Sequence, residues 1–313
     1  MSNKNKRFSQ STTYNEESDV IVLNDDCLKA LSTIPNDSCQ LIISSPPYNI
    51  GKIYEKRQDL DDYLNWQKSV LQECHRVLKD SGSLVWQVGN YVEKSEVFPL
   101  DIYFYPIIKD LGFKLRNRIV WHFNHGLHAR KRLSGRYETV LWFTKTDEYV
   151  FNLDPIRVPS KYPGKRHYKG DKKGQLSGNP KGKNPSDYWE IIANEFELGV
   201  IDIPNVKANH VEKTIHPCQF PIALVERFVL ALTDPGDMVL DPFSGVGSSA
   251  IAALKQDRRS LLIDKEKEYI DISLARIKDF EDDTLKIRPL GKPIHKPSKQ
   301  DKVSSYPEEW KDL

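Results

Sequence analysis

The sequence predicts an α/β protein, a mostly parallel twisted sheet with helices on both faces. Three observations lead there. Short apolar runs recur along the 313 residues, at 21–23, 41–43, 83–88, 139–143, 238–240 and 261–263, and most alternate with stretches of helical periodicity. Several of these runs are continuously apolar, as strands covered on both faces are. A hydrophobic content of 39% supports a large core.

In chain order, residues 1–18 are polar and are expected to form an unordered tail. Ile21-Val22-Leu23 reads as a strand, followed by a helix through Leu28, Leu31 and Ile34 that Pro35-Asn36-Asp37 ends. Leu41-Ile42-Ile43 is the next strand. Residues 60–79 carry apolar side chains at helical spacing, with Asp80-Ser81-Gly82 expected to close the helix before a strand over 83–88. A helix over 100–111 stops at Gly112, and strands follow near 118–122 and 139–143. Regular structure then pauses and returns as a helix over 222–232. A strand at 238–240, a helix through Ile251 and Leu254, a strand at 261–263 and a helix over 268–280 complete the pattern.

Composition narrows the function. No apolar run approaches the ~18 residues of a membrane span, and the N-terminus lacks an apolar export signal, so a cytoplasmic protein without a membrane partner is expected. The four cysteines form no metal-ligand or disulfide pattern, and no metal is expected. A net charge of +2 says little about partners, but its distribution is uneven. Between Arg157 and Lys183 the only acid is Asp171, while Lys161, Lys165, Arg166, Lys169, Lys172 and Lys173 are interleaved with Tyr162, His167 and Tyr168. A basic, aromatic-bearing loop of this kind can follow a phosphate backbone, although a solvated surface insertion has the same composition.

Two strand ends carry chemistry. After 41–43 comes Ser44-Ser45-Pro46-Pro47-Tyr48, where adjacent prolines stop the strand and leave rigid carbonyls beside a hydroxyl and an aromatic ring. The carbonyls of Ser45 and Pro46 can accept from a substrate amino group, and Tyr48 offers a face to a planar base. After 238–240 comes Asp241-Pro242-Phe243-Ser244-Gly245-Val246-Gly247, a strand, glycine loop and helix start of the kind that cradles nucleotides. The carboxylate of Asp241 would repel a pyrophosphate but pair with a cationic amino-acid group. Asp264, at the end of the next strand, is placed for ribose hydroxyls. A nucleoside joined to an amino acid describes S-adenosyl-L-methionine.

On these residues the chain resembles the amino-methylating DNA methyltransferases. Ser45-Pro46-Pro47-Tyr48 matches their catalytic (D/N/S)PP(Y/F) motif and Asp241 to Gly247 their DPF-G-G cofactor motif. The catalytic motif comes first, as in the permuted β-class arrangement. Asn24-Asp25-Asp26-Cys27 resembles the segment beside the cofactor adenine, which adds Asp26 to the cofactor set. Arg136-Tyr137-Glu138 stands where relatives usually carry His-Glu, and His216-Pro217-Cys218-Gln219-Phe220-Pro221 resembles an HPTQKP element. Pro217-Cys218-Gln219 also looks like the nucleophile motif of cytosine carbon-5 methyltransferases. Those enzymes need a Glu-Asn-Val segment that this chain lacks, and here the cofactor motif follows the Pro-Cys.

The resemblance implies an S-adenosylmethionine-dependent methyltransferase fold, with a catalytic half at 19–150, a target-recognition insertion at 151–209, a cofactor-binding half at 210–284 and a Lys/Pro-rich tail at 285–313. It implies S-adenosyl-L-methionine as cofactor, double-stranded DNA as substrate and a flipped target base. N4 of cytosine is favoured, because a serine hydroxyl can both accept from the amine and donate to cytosine N3, with adenine N6 the alternative. A silent cofactor-fold module that only binds DNA, and methylation of RNA or a free nucleotide, are the other readings. A homodimer is compatible with the class. No nuclease motif is evident, so a cognate restriction endonuclease would sit on a separate chain.

Overall fold

The computed structural model describes residues 7–49, 51, 57–123, 128–189, 205–207 and 210–289. Its first strands are β1 (Gln10–Ser11) and β2 (Val20–Leu23), then α1 (Cys27–Leu31) and β3 (Cys39–Ser44). The Asp26 side chain accepts from the backbone N–H groups of Leu28 and Lys29 at the start of α1, a cap worth about 1 kcal/mol. Next come α2 (Leu60–Val77), β4 (Leu78–Val88), β5 (Asn90–Glu93), β6 (Glu96–Pro99) and α3 (Leu100–Asp110). Acids Asp61 and Asp62 in the first turn of α2, and His75 and Arg76 in its last, match the helix dipole. The chain continues through β7 (Lys114–His122), β8 (Tyr137–Thr144), β9 (Tyr188–Trp189), α4 (Ile222–Leu232), β10 (Met238–Asp241), α5 (Ser248–Lys255), β11 (Arg259–Ile263) and α6 (Lys267–Glu281).

The main sheet has the order β1-β2-β11-β10-β3-β4-β8-β7-β9, and β5 pairs with β6 as a separate hairpin. Only β8 runs against its neighbours, antiparallel to both β4 and β7. Alternating side chains divide the core. Val20, Val22, Leu41 and Ile43 face the layer of α4, α5 and α6, while Ile21, Leu23 and Ile42 face that of α1, α2 and α3. Both faces are therefore covered, which is why these strands read as unbroken apolar runs.

This topology sets the position of the site. From β3 the chain crosses by α2 to β4 on one side, and from β10 it crosses by α5 to β11 on the other. Since β3 and β10 are parallel neighbours, their carboxyl ends open a crevice where the winding reverses, the standard ligand position in such sheets.

Several expectations need correction. Residues 7–18 are not an unordered tail, because β1 pairs with β2 and the buried Phe8 ring stacks on Phe280 at 6.2 Å between centroids. Asp80-Ser81-Gly82 does not close a helix but lies inside β4, which begins directly after Val77. A Cβ on Gly82 would lie 2.7 Å from the Leu78 side chain, so the glycine there answers to packing. The strand expected at 118–122 starts at Lys114. Residues 190–204 of the expected recognition region and the tail from 290 onward lie outside the described residues. Among the described residues no helix is long and apolar enough to cross a membrane.

Candidate active site

The loop after β3 is held from three sides. Asn49, in the left-handed region at φ 58°, donates from Nδ2 to the Gln58 carbonyl at 2.9 Å, and its Oδ1 accepts from the Gln58 N–H at 2.7 Å. From α2, the Tyr63 hydroxyl donates to the Pro47 carbonyl at 2.6 Å. Tyr48 packs on Gly89, where a Cβ would come within 2.9 Å of its ring, so a larger residue at 89 would displace the tyrosine. Ser45 Oγ lies 3.1 Å from the Tyr48 hydroxyl oxygen. Among the described residues no donor is recorded on the Pro46 carbonyl, which is left open as an acceptor.

The loop after β10 surrounds a buried carboxylate. Asp241 Oδ1 accepts from Ser44 Oγ at 2.6 Å and from the Phe243 N–H at 3.1 Å, and its Oδ2 accepts from Ser249 Oγ at 2.8 Å. Ser44 belongs to the catalytic strand, so one carboxylate ties the two strand ends together. Burial nevertheless pushes the Asp241 carboxyl up to about 6, with Ser44 and Ser249 opposing the shift. Gly245 and Gly247 take left-handed angles, φ 50° and 72°, which suit glycine. Phe243 stands edge-on to Trp66 and Trp86, with centroids 5.6 and 6.2 Å away. Asp264 accepts from the N–H groups of Gly245 at 2.8 Å and Glu266 at 2.9 Å, and burial raises its carboxyl above the ordinary range. The buried Ser244 Oγ has no hydrogen-bond partner among the described residues.

These loops enclose one cavity of about 300 Å³. Asp26, Ser45, Pro46, Pro47, Tyr48, Asp241, Phe243, Ser244, Gly245 and Asp264 all line it. Gly247 does not; it shapes the loop from behind, at the start of α5. Lys161, Lys165, Arg166, Lys169, Lys172 and Lys173 lie elsewhere, exposed on an excursion closed at its base by the bridge between Val158 and Lys183. Cys218 is exposed at the cavity wall. The other three cysteines are buried, and burial pushes the thiols of Cys27 and Cys39 up to about 12. Among the described residues no cluster could hold a metal ion.

Sequence reasoning missed part of the wall. Tyr63 and Trp66 from α2 line it, but their spacing reads equally well as helix core. Glu266 and Tyr269, just beyond Asp264, and His216, whose ring meets Tyr269 edge-on at 4.7 Å, were likewise unassigned. Glu138 bonds to Gln87 and flanks the same Gly89 as Tyr48, which explains an acid at this strand start.

Comparison with known proteins agrees with this architecture. The N6/N4 DNA methylase family model matches residues 39–275. The Type II methyltransferase M.BglII of Bacillus subtilis is 52% identical over 253 residues, covering 80% of this chain and 67% of the relative. The DNA adenine methyltransferase YhdJ of Escherichia coli K12 is 32% identical over 275 residues, covering 86% and 85%. Among solved structures, the cytosine-N4-specific PvuII DNA methyltransferase shares the fold with a TM-score of 0.62 at 20% identity, over 90% of this chain and 95% of that one. A DNA modification methylase of Thermus thermophilus, solved with S-adenosyl-L-methionine, superposes with a TM-score of 0.56 at 25% identity, over 83% and 95%. The chain belongs to the N6/N4 DNA methylase family.

Proposed function

We propose that this chain transfers a methyl group from S-adenosyl-L-methionine to the exocyclic amino group of a base flipped out of double-stranded DNA, at N4 of cytosine. The observation that carries the reading is the convergence of the Ser45–Tyr48 loop and the glycine loop on one cavity, joined through Asp241. The cavity suits the cofactor. Its volume of about 300 Å³ is at the small end of ligand pockets, and Ser244 brings a buried hydroxyl without a partner. A carboxylate has about four acceptor sites and Asp241 uses three, which leaves one for a cationic amino group. Asp264 retains acceptor sites for ribose hydroxyls, and Asp26 and Phe243 flank the adenine end. When bound, the cofactor supplies a methyl on a positively charged sulfur, already a strong electrophile.

The protein's task is then positioning. An aromatic amine is a poor nucleophile because its lone pair is delocalised into the ring. Ser45 Oγ and the Pro46 carbonyl accept its two N–H groups and favour a more tetrahedral nitrogen. Tyr48 stacks on the flipped base, its ring braced by Gly89. Residues 19–150 and 210–284 form the catalytic and cofactor halves, and 151–209 reads the DNA, with Lys161, Lys165, Arg166, Lys169, Lys172 and Lys173 on phosphates. A homodimer and a cognate restriction endonuclease on a separate chain are the protein partners this reading allows.

Adenine N6 is the second reading, favoured by the name of the adenine-specific relative. Tritiated S-adenosyl-L-methionine and mixed-sequence duplex DNA, followed by digestion to nucleosides, separate the two. Label on N4-methylcytosine is expected. Label on N6-methyladenine would keep the mechanism and change the base, label on carbon 5 would make Cys218 the nucleophile, and no label would refute DNA methylation.

A further inference from the structure

The turn between β7 and β8 has no role in the reading above, yet it combines three features. Between Asp110 and Glu138 the chain contains no acidic residue. Arg130, Lys131 and Arg132 follow one another at the tip, exposed and without a carboxylate partner among the described residues. Leu133 comes next at 93% exposure, the most exposed large hydrophobic side chain described. A lone exposed leucine is ordinary, but one set among three cations at a loop tip is not explained by packing.

The turn has internal structure and sits beside the site. Phe123 N–H donates to the Arg136 carbonyl at 2.7 Å, closing the neck, and Ala129 N–H donates to Ser134 Oγ at 3.2 Å across the tip. Because β7 runs in the direction of β3 and β4, the turn leaves the sheet at the same edge as Ser45 to Tyr48. Its foot is two residues from Glu138, and a Cβ on Gly89 would lie 3.6 Å from Glu138 and 2.9 Å from Tyr48. The tip thus projects from the rim next to the ring assigned to the flipped base.

We propose that Arg130, Lys131 and Arg132 seat this turn on duplex phosphates and that Leu133 inserts into the base stack at the position the target base vacates. The inference rests on the DNA-methylating reading. Extrusion of a base leaves a gap and an unpaired partner, and apolar wedges fill such gaps in other DNA-bending proteins. Insertion would also take Leu133 out of water, where it is held in the free protein.

The test starts with wild-type protein acting on plasmid DNA, with sequencing to locate the modified site. Short duplexes bearing that site are then made with the target base either paired or opposite an abasic position. Leu133→Ala is expected to lower kcat on the paired duplex about tenfold or more, with duplex affinity within about twofold, and to regain the wild-type rate on the abasic duplex. Equal rates for wild type and variant on the paired duplex, or equal losses on both duplexes, overturn the wedge. The triple variant Arg130→Ala, Lys131→Ala, Arg132→Ala should flatten the log affinity against log salt slope by about three. An unchanged slope removes the phosphate contacts. Wild-type protein that marks no plasmid defeats the underlying reading and the wedge with it, an outcome distinct from an active enzyme indifferent to Leu133.

Discussion

At the scale of single residues, Asp241 has two demands that pull in opposite directions. Ser44, Ser249 and the Phe243 N–H solvate its charge, yet burial still leaves its carboxyl near 6. The folded value lies above the unfolded one of ~3.9, so the stability linked to this proton is fully present below about pH 4 and is lost as pH rises through about 6. Binding a cationic amino group needs the ionised form, so cofactor affinity should change the other way. We expect the Kd for S-adenosyl-L-methionine, measured by titration calorimetry from pH 7.5 to 5, to weaken below pH 6 by up to about tenfold per unit. Asp264 is shifted in the same direction on the same cavity, so the informative quantity is the difference from Asp241→Asn. That variant should bind weakly throughout and lose part of the pH 4 to 6 slope in its urea midpoint. If wild type and variant have parallel profiles, Asp241 does not hold the amino group.

At the scale of elements, α6 braces the glycine loop from beneath. Ser273 Oγ donates to the Gly245 carbonyl at 3.0 Å, and the buried Arg276 guanidinium donates to the Val246 carbonyl. Burial lowers Arg276 to about 10, which leaves it charged at neutral pH. A Cβ on Gly247 would lie 2.9 Å from Ser273 Cβ, at a left-handed φ of 72°. Gly247→Ala therefore meets a backbone cost of about 1–2 kcal/mol and a steric clash, and should weaken cofactor binding about tenfold or more. Adding Ser273→Gly should recover the steric part alone, giving a non-additive cycle. Additive losses would show that α6 does not shape the loop. The glycines were legible in the sequence because they cluster within a motif. Ser273 and Arg276 were not, since they lie far along the chain on a helix whose periodicity gives no reason to single them out. Gly82 misled for a related reason: a glycine after a helical stretch resembles a stop signal, while its clash with Leu78 depends on the folded strand.

At the scale of the whole molecule, the central strands were readable because burial on both faces writes itself into composition. The edges were not, because β1 and β9 are two-residue pairings fixed by distant partners, and the β5–β6 hairpin carries no turn glycine. The charge pattern has a similar division. Asp26, Asp241, Asp264 and Glu266 give the cavity an acidic lining, while the excursion at 161–173 and the turn at 130–132 are basic and exposed. A cationic cofactor and a polyanionic substrate are thus drawn to different parts of one protein whose net charge is only +2. Replacing Lys161, Lys165, Arg166, Lys169, Lys172 and Lys173 together by alanine tests that separation. If all six contact phosphates, the slope of log affinity against log salt, read by anisotropy of a labelled mixed-sequence duplex between 50 and 200 mM salt, should fall in magnitude by about five. Affinity for S-adenosyl-L-methionine should stay unchanged, because none of these side chains lines the cavity. An unchanged slope would remove the excursion from the DNA path and leave the 130–132 turn as its basic contact.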